Sequence, residues 1–201
     1  MKTFITDFCI IRDRQVLTPG SRIGVQASTV EEFLTKLYAR IAAPYPKFYK
    51  MDRQSKSGFL AAEMLLTRSP LSRGSADTVA VVLSNANASL DADIQFEHST
   101  LTLASPSLFV YTLPNIVIGE ICIRHGINGE NAFFVSPTFD ALTMESYVTQ
   151  LFHDGPTQAC IAGWVDVLGE SYDVFLYLVE TEKRGLGLPH QANELVKLYN
   201  L

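Results

Sequence analysis

Val79-Ala80-Val81-Val82-Leu83 is an unbroken apolar run rich in β-branched residues. It is far too short to span a bilayer, and its composition suits a strand. A strand without polar alternation is buried on both faces, which is the mark of a parallel sheet covered by helices. Working outward from this run, residues 3–11 are rich in Phe and Ile and read as a strand, as do residues 132–135, 158–167 and 174–179. Thr18-Pro19-Gly20 is a turn. Ser28-Thr29-Val30-Glu31 has the form of a capping box, with Ser28 as N-cap and Glu31 at N3. The helix it opens runs to about residue 42, with Val30, Phe33, Leu34, Leu37 and Ile41 on one side, and Pro44 and Pro46 stop it. Asp52 caps a second helix, to about residue 67, whose apolar positions include Phe59, Leu60, Met64 and Leu65. Residues 69–77 are a polar loop. A third helix begins at or just after Pro114 and ends near Gly126, a fourth covers residues 138–152, and a short amphipathic helix covers 191–199. The alternation of strand and helix predicts an α/β fold, and no linker divides residues 1–201 into separate domains.

The bulk composition fits a globular chain: 201 residues, 47% hydrophobic and 18% charged. A net charge of -5 gives no electrostatic case for binding nucleic acid or an anionic membrane. Cys9, Cys122 and Cys160 are odd in number and lack CxxC spacing, so the expectation is buried free thiols rather than disulfides or structural zinc. In the N-terminal segment MKTFITDFCIIRDR, Asp7 interrupts the apolar stretch and no small-residue cleavage site follows, which argues against a signal peptide. With no apolar run of about 18 residues for a membrane helix, the expected location is the cytoplasm.

Several site signatures are missing. Gly185-Leu186-Gly187-Leu188 lacks the third glycine and the long helix of a dinucleotide turn and reads as a tight loop. There is no P-loop and no nucleophile elbow. His98, His125, His153 and His190 form no metal pair at helical spacing, and His125 and His153 fall at helix ends, where a cation suits the dipole. Glu31-Glu32 favours a helix start, and Asp91 and Asp93 read as part of a polar loop without a convergent partner. No cofactor or metal is expected.

One stretch carries a family resemblance. Ser105-Pro106-Ser107-Leu108-Phe109-Val110-Tyr111-Thr112-Leu113-Pro114-Asn115 is similar to the "P-S-x-F-x-x-T-L-P-N" run that precedes the active site of β-ketoacyl synthases. Gly126-Ile127-Asn128-Gly129-Glu130-Asn131 resembles their "G-x-x-G-P-N" turn, with Glu130 in place of proline. Upstream, Met51-Asp52-Arg53 resembles the "M-D-R" opening of an early helix. Downstream, Ala162-Gly163-Trp164-Val165-Asp166 resembles the "A-G-G-V-D" strand, with Trp164 in place of a glycine. The matches keep their order from about residue 44 to 170, and the subgroup that looks most similar is the synthase-like proteins of aryl-polyene and flexirubin-type clusters.

The resemblance implies the N-terminal half of a thiolase-like fold, with a mixed five-stranded sheet. In the family a cysteine nucleophile sits at a strand-to-helix turn. Counting back from Ala162-Gly163 puts that position at Thr138, within Val135-Ser136-Pro137-Thr138-Phe139-Asp140, where there is no cysteine. A threonine hydroxyl is a far weaker nucleophile than a thiolate and needs an adjacent base. The family draws two histidines from its second half, which this sequence does not reach. Cys160, inside a strand among Ala159, Ile161 and Ala162, reads as a buried inert thiol. Residues 138–152 carry Ala141, Met144, Tyr147, Val148, Leu151 and Phe152 on one face and Thr143, Glu145, Ser146, Thr149 and Gln150 on the other. That polar side suits a helix without a second sheet above it, and equally suits an ordinary surface helix.

Three functions follow from this reading. The first is a non-catalytic, chain-length-factor-like partner of a full-length ketosynthase, forming a homodimer when no ketosynthase is present. Residues 108–118 and 132–135 would lie at the interface, with Phe109, Tyr111, Ile116, Val117 and Ile118 divided between core and partner surface. The second is a stand-alone module that binds an acyl chain or acyl carrier protein. The third is a residual thioesterase or acyltransferase using Ser136 or Thr138.

Overall fold

The structure is a computed structural model, and it describes residues 1–41, 44–69, 71 and 76–201. The expected end of the first helix at residue 42 and much of the 69–77 loop lie outside the described residues. The chain folds as α/β, with helices on both sides of one mixed sheet. Its strands are β1 (Phe4–Arg12), β2 (Gln15–Thr18), β3 (Ser21–Gly24), β4 (Val79–Asn85), β5 (Asn131–Val135), β6 (Ala159–Leu168), β7 (Ser171–Glu180) and β8 (Leu188–Pro189). Its helices are α1 (Val30–Ile41), α2 (Arg53–Arg68), α3 (Leu90–Thr100), α4 (Pro106–Phe109), α5 (Ile116–His125), α6 (Ala141–Asp154) and α7 (Ala192–Tyr199).

The strand order is β3-β2-β1-β7-β6-β4-β5, with β8 paired to the start of β1 on the edge opposite β7. β4 pairs in parallel with both β5 and β6, whereas β6, β7, β1, β2 and β3 are joined antiparallel. All five expected strands are present, but the sheet has eight strands. Two of the additions form the β2–β3 hairpin. Its link to β1 turns through Asp13 (φ 48°) and Arg14 (φ 57°), both left-handed as a tight hairpin of this hand requires. The third is β8, a two-residue strand laid against Phe4 and Ile5.

β4 is buried along its whole length and divides its side chains between two cores. Val79, Val81 and Leu83 join the core beneath α1, α2 and α5, while Ala80 and Val82 join the core beneath α6 and α7. β1 would alternate in the same way but has a register shift between Ile5 and Asp7, so Ile5 and Phe8 point into the same core. The bulge buries Asp7, which lies 3.2 Å from Arg68 and accepts a hydrogen bond from Ser69 Oγ at 2.8 Å.

Four local expectations are corrected. Thr29 rather than Ser28 caps α1: its Oγ1 accepts from the Glu32 N–H at 3.2 Å, and the Glu32 carboxylate accepts from the Ser28 N–H at 2.7 Å. Asp91 and Asp93 belong to the first turn of α3 rather than to a loop. α6 begins at Ala141, three residues later than expected, because Asp140 is its N-cap. Residues 106–109, which had no assigned structure, form the single turn α4, which starts on a proline and is capped by Ser105.

Candidate functional site

The turn between β5 and α6 is where the resemblance places a nucleophile. β5 runs parallel to β4 with Val135 opposite Asn85, and the Ser136 N–H closes the pairing on Asn85 O at 2.9 Å. Ser136 Oγ donates to Thr138 O at 2.8 Å, and Thr138 itself is exposed. Phe139 turns inward, stacking on Tyr199 at 4.8 Å and meeting Phe175 edge-on at 5.4 Å. Asp140 accepts from the Leu142 and Thr143 N–H groups at 3.0 and 3.1 Å and from Thr143 Oγ1 at 2.6 Å. These bonds, that from the Thr143 hydroxyl first, hold its carboxyl below the usual carboxylate range.

The turn opens on a shallow cleft of about 380 Å³ lined by residues 136–142 with Ala192, Asn193 and Val196. The lining presents hydroxyls and one carboxylate already occupied by three donors, and it includes no histidine, cysteine or lysine. Such a turn can offer a neutral hydroxyl but has no free base to activate it.

The cysteines are elsewhere. Cys160 on β6 and Cys9 on β1 are fully buried, and burial raises both thiols, Cys9 to about 12. Cys122 on α5 is half-buried and is likewise raised to about 11 by burial. The histidines do not converge on the turn. His98 ends α3 exposed, and the exposed His153 pairs with Asp154 at 2.7 Å. His125 lies 3.2 Å from Glu63, with burial pushing its pKa down against that carboxylate. His190 is buried and is lowered by desolvation to about 4. Among the described residues no group of three His, Cys, Asp or Glu side chains is placed to hold a metal ion, and no helix is long and apolar enough to cross a membrane.

Several residues that carry the resemblance tie the helices and strands to one another. Asp52 caps α2 by accepting from the Ser55 N–H at 3.0 Å, and burial raises its carboxyl. Arg53 forks onto Asp91 through Nε (2.9 Å) and Nη2 (2.8 Å) and donates through Nη1 to Gly169 O at 2.8 Å. Asp91 also accepts from the Gly169 N–H and from Gln95 Nε2, both at 2.8 Å, tying α2, α3 and the β6–β7 turn together. Asp166 on β6 accepts from the Ala86 and Asn87 N–H groups, each at 3.0 Å, and so fixes the chain as it leaves β4. Gln54 bridges Asn85 and Pro114 O, placing the loop before α5. Sequence reasoning missed Asp91 as the partner of Arg53, because the inverted pattern of α3 hid the helix whose first turn carries it.

The second notable surface is a sheet edge with an apolar neighbourhood. Among the described residues β5 pairs only with β4, so its outer backbone groups have no ladder partner. Val135 at its end is 57% exposed. Between α3 and α5 the chain exposes Leu101 (82%), Leu103 (83%) and Phe109 (61%), together with Val110 and Leu113. The other expected contact residues divide: Tyr111, Val117 and Ile118 are buried and Ile116 is half-buried.

No protein-family model matches the chain, and no curated protein matches it. Solved structures do. An ishigamide ketosynthase/chain length factor aligns over 92% of this chain and 64% of its own, at 16% identity and a TM-score of 0.64. A β-ketoacyl synthase from Burkholderia phymatum STM815 aligns over 89% of this chain and 59% of its own, at 10% identity and 0.60. A ketosynthase in complex with its chain length factor, from Xenorhabdus doucetiae, contributes a chain that aligns over all of this one and 91% of its own, at 13% identity and 0.58. The chain therefore has the thiolase-like fold of ketosynthases and chain length factors and spans less than two thirds of the first of these structures, while the last is of comparable length.

Proposed function

We propose that this chain is a non-catalytic, chain-length-factor-like partner of a ketosynthase in fatty-acid or polyketide-type synthesis. The observation that carries the reading is the β5–α6 turn, where the resemblance puts the nucleophile and where the cleft lining offers the hydroxyls of Ser136 and Thr138 and no thiol or imidazole. The similarity to a chain of comparable length, from a complex of a ketosynthase with its chain length factor, supports the same role. We read residues 1–201 as one domain, acting in the cytoplasm. The partner would meet the β5 edge and residues 108–118, where Phe109, Val110 and Leu113 are exposed. Acyl carrier protein is a further candidate partner, and the aryl-polyene and flexirubin-type pathways are the proposed setting.

The experiment is a condensation assay. The purified chain is mixed with acylated and malonylated carrier protein and the products are followed by mass spectrometry. The expected result is no condensation and no acyl adduct, and Thr138→Cys is not expected to restore turnover because the turn has no base. Turnover, or a stable acyl adduct on Thr138 or Ser136, overturns the reading in favour of a residual acyltransferase or thioesterase.

A further inference from the structure

Residues 186–201 form a strap running from β1 over the second face of the sheet to α6. At its start, the Leu186 N–H donates to Thr6 O at 2.9 Å and the His190 N–H to Thr3 O at 3.1 Å, with the two residues of β8 paired between them. At its end, Leu195 and Leu198 are buried, Tyr199 OH donates to Asp173 at 2.5 Å, and Arg12 donates to Tyr199 O at 2.6 Å.

His190 lies between these anchors, 5% exposed, with its ring 5.9 Å from that of Tyr177. Among the described residues neither ring nitrogen has a hydrogen-bond partner, nor does the Tyr177 hydroxyl. A neutral imidazole wants one donor and one acceptor nearby, and an imidazolium wants two acceptors and a counter-charge. The ring's neighbour is Tyr177 on β7, whose own electrostatic neighbours are Cys160 on β6 and Glu145 on α6, and no charged group offsets the burial of the imidazole. Burial keeps the phenol and the thiol protonated, and the Glu145 carboxylate is engaged by the Ala192 N–H at 2.7 Å.

We propose that His190 is an acid-operated latch: its protonation releases the strap 186–201 and bares the part of the sheet that carries Phe175 and Tyr177, while β4, β5 and β6 stay paired. The strap is the element that yields, because two strand residues and a few backbone bonds hold its start, whereas the central strands are held by long ladders.

The sign follows from burial. The closed ring binds a proton only near pH 4, and a released ring binds it at the ordinary 6.5. The closed state is therefore fully favoured above 6.5 and loses ground as pH falls toward 4.

Hydrogen exchange read by mass spectrometry at about pH 7.5 and about pH 5, corrected for intrinsic rates, tests the latch. The expected result is a roughly 30-fold rise in opening for residues 186–201, with β4 and β6 unchanged, and loss of that rise in His190→Phe. An opening of the strap that ignores pH, or opening of the whole chain together, overturns the proposal. Should His190→Phe fail to fold, NMR titration of the wild-type ring decides. A ring that titrates well below the usual histidine range together with the α7 amides supports the latch, and a ring that titrates as in a free peptide overturns it.

Discussion

Replacing Asp91 by alanine should destabilise the chain more than any other single change on its polar scaffold. The Asp91 carboxylate takes two hydrogen bonds from Arg53, one from Gln95 and one from the Gly169 N–H, and Arg53 and Asp91 have side-chain exposures of 21% and 5%. Removing one partner of a buried ion pair costs about 3–5 kcal/mol, because the other charge stays behind without compensation. Arg53 keeps Gly169 O and has Glu170 at 3.9 Å, so the lower end applies, about 3 kcal/mol. With a urea dependence of about 2 kcal/mol per molar, the unfolding midpoint should fall by about 1.5 M. Trp164, the only tryptophan and 4% exposed, reports the transition by fluorescence, with far-ultraviolet circular dichroism as the second probe. The double variant Arg53→Met with Asp91→Leu removes both charges and should recover most of the loss. A midpoint shift under about 0.3 M for Asp91→Ala, or a double variant no better than the single, would refute this account of the scaffold.

Further outcomes follow from the same geometry. Gly163→Ala should cost about 3 kcal/mol or more in the same denaturation experiment, since its φ is +150° and a Cβ would stand 1.9 Å from Phe175 O, a backbone atom of the neighbouring strand. Gly58→Ala should cost less, because its added carbon clashes with a side-chain methyl, Val117 Cγ2 at 2.4 Å, rather than with backbone, and its φ is not left-handed. Cys9 and Cys160 should resist a thiol reagent until the protein is unfolded, while Thr138→Cys should add one fast-reacting thiol to the native protein; a slow thiol at residue 138 would contradict the exposed turn.

Where side chains follow a simple period, the fold was legible. The run at β4 carried its parallel, doubly covered setting because each of its seven residues is buried. α6 was legible as an amphipathic helix: Ala141, Met144, Val148 and Phe152 are buried, and Thr143, Ser146, Thr149 and Gln150 are exposed. α3 was not, because its pattern is inverted, with Asp91 and Ala92 buried and Leu90 and Ile94 exposed. The β1–β2 turn carries no glycine or asparagine at its two left-handed positions, so Asp13, which tolerates that conformation, is the one weak turn signal in Asp13-Arg14. At α1 two S/T-x-x-E patterns overlap, Ser28 with Glu31 and Thr29 with Glu32, and the sequence does not distinguish them; the structure uses Thr29 and Glu32. For the candidate site, the turn at residues 136–140 was reached through the family resemblance, and its residue types show only that it carries hydroxyls and no cysteine. The scaffolding work of Arg53 and Asp166 was not legible, since their partners stand 38 and 80 positions away in sequence.

The proposed partnership with a ketosynthase is open to a direct binding experiment. Co-expression with a tagged ketosynthase, followed by native mass spectrometry of the eluate, shows whether the two associate. The expected result is a heterodimer of one copy of each, formed in preference to the homodimer and weakened by Phe109→Asp, whose site is 61% exposed and whose variant should stay folded. A wild-type chain that stays monomeric at high concentration and is absent from the ketosynthase eluate would contradict it and leave a stand-alone acyl-chain or carrier-protein binding module.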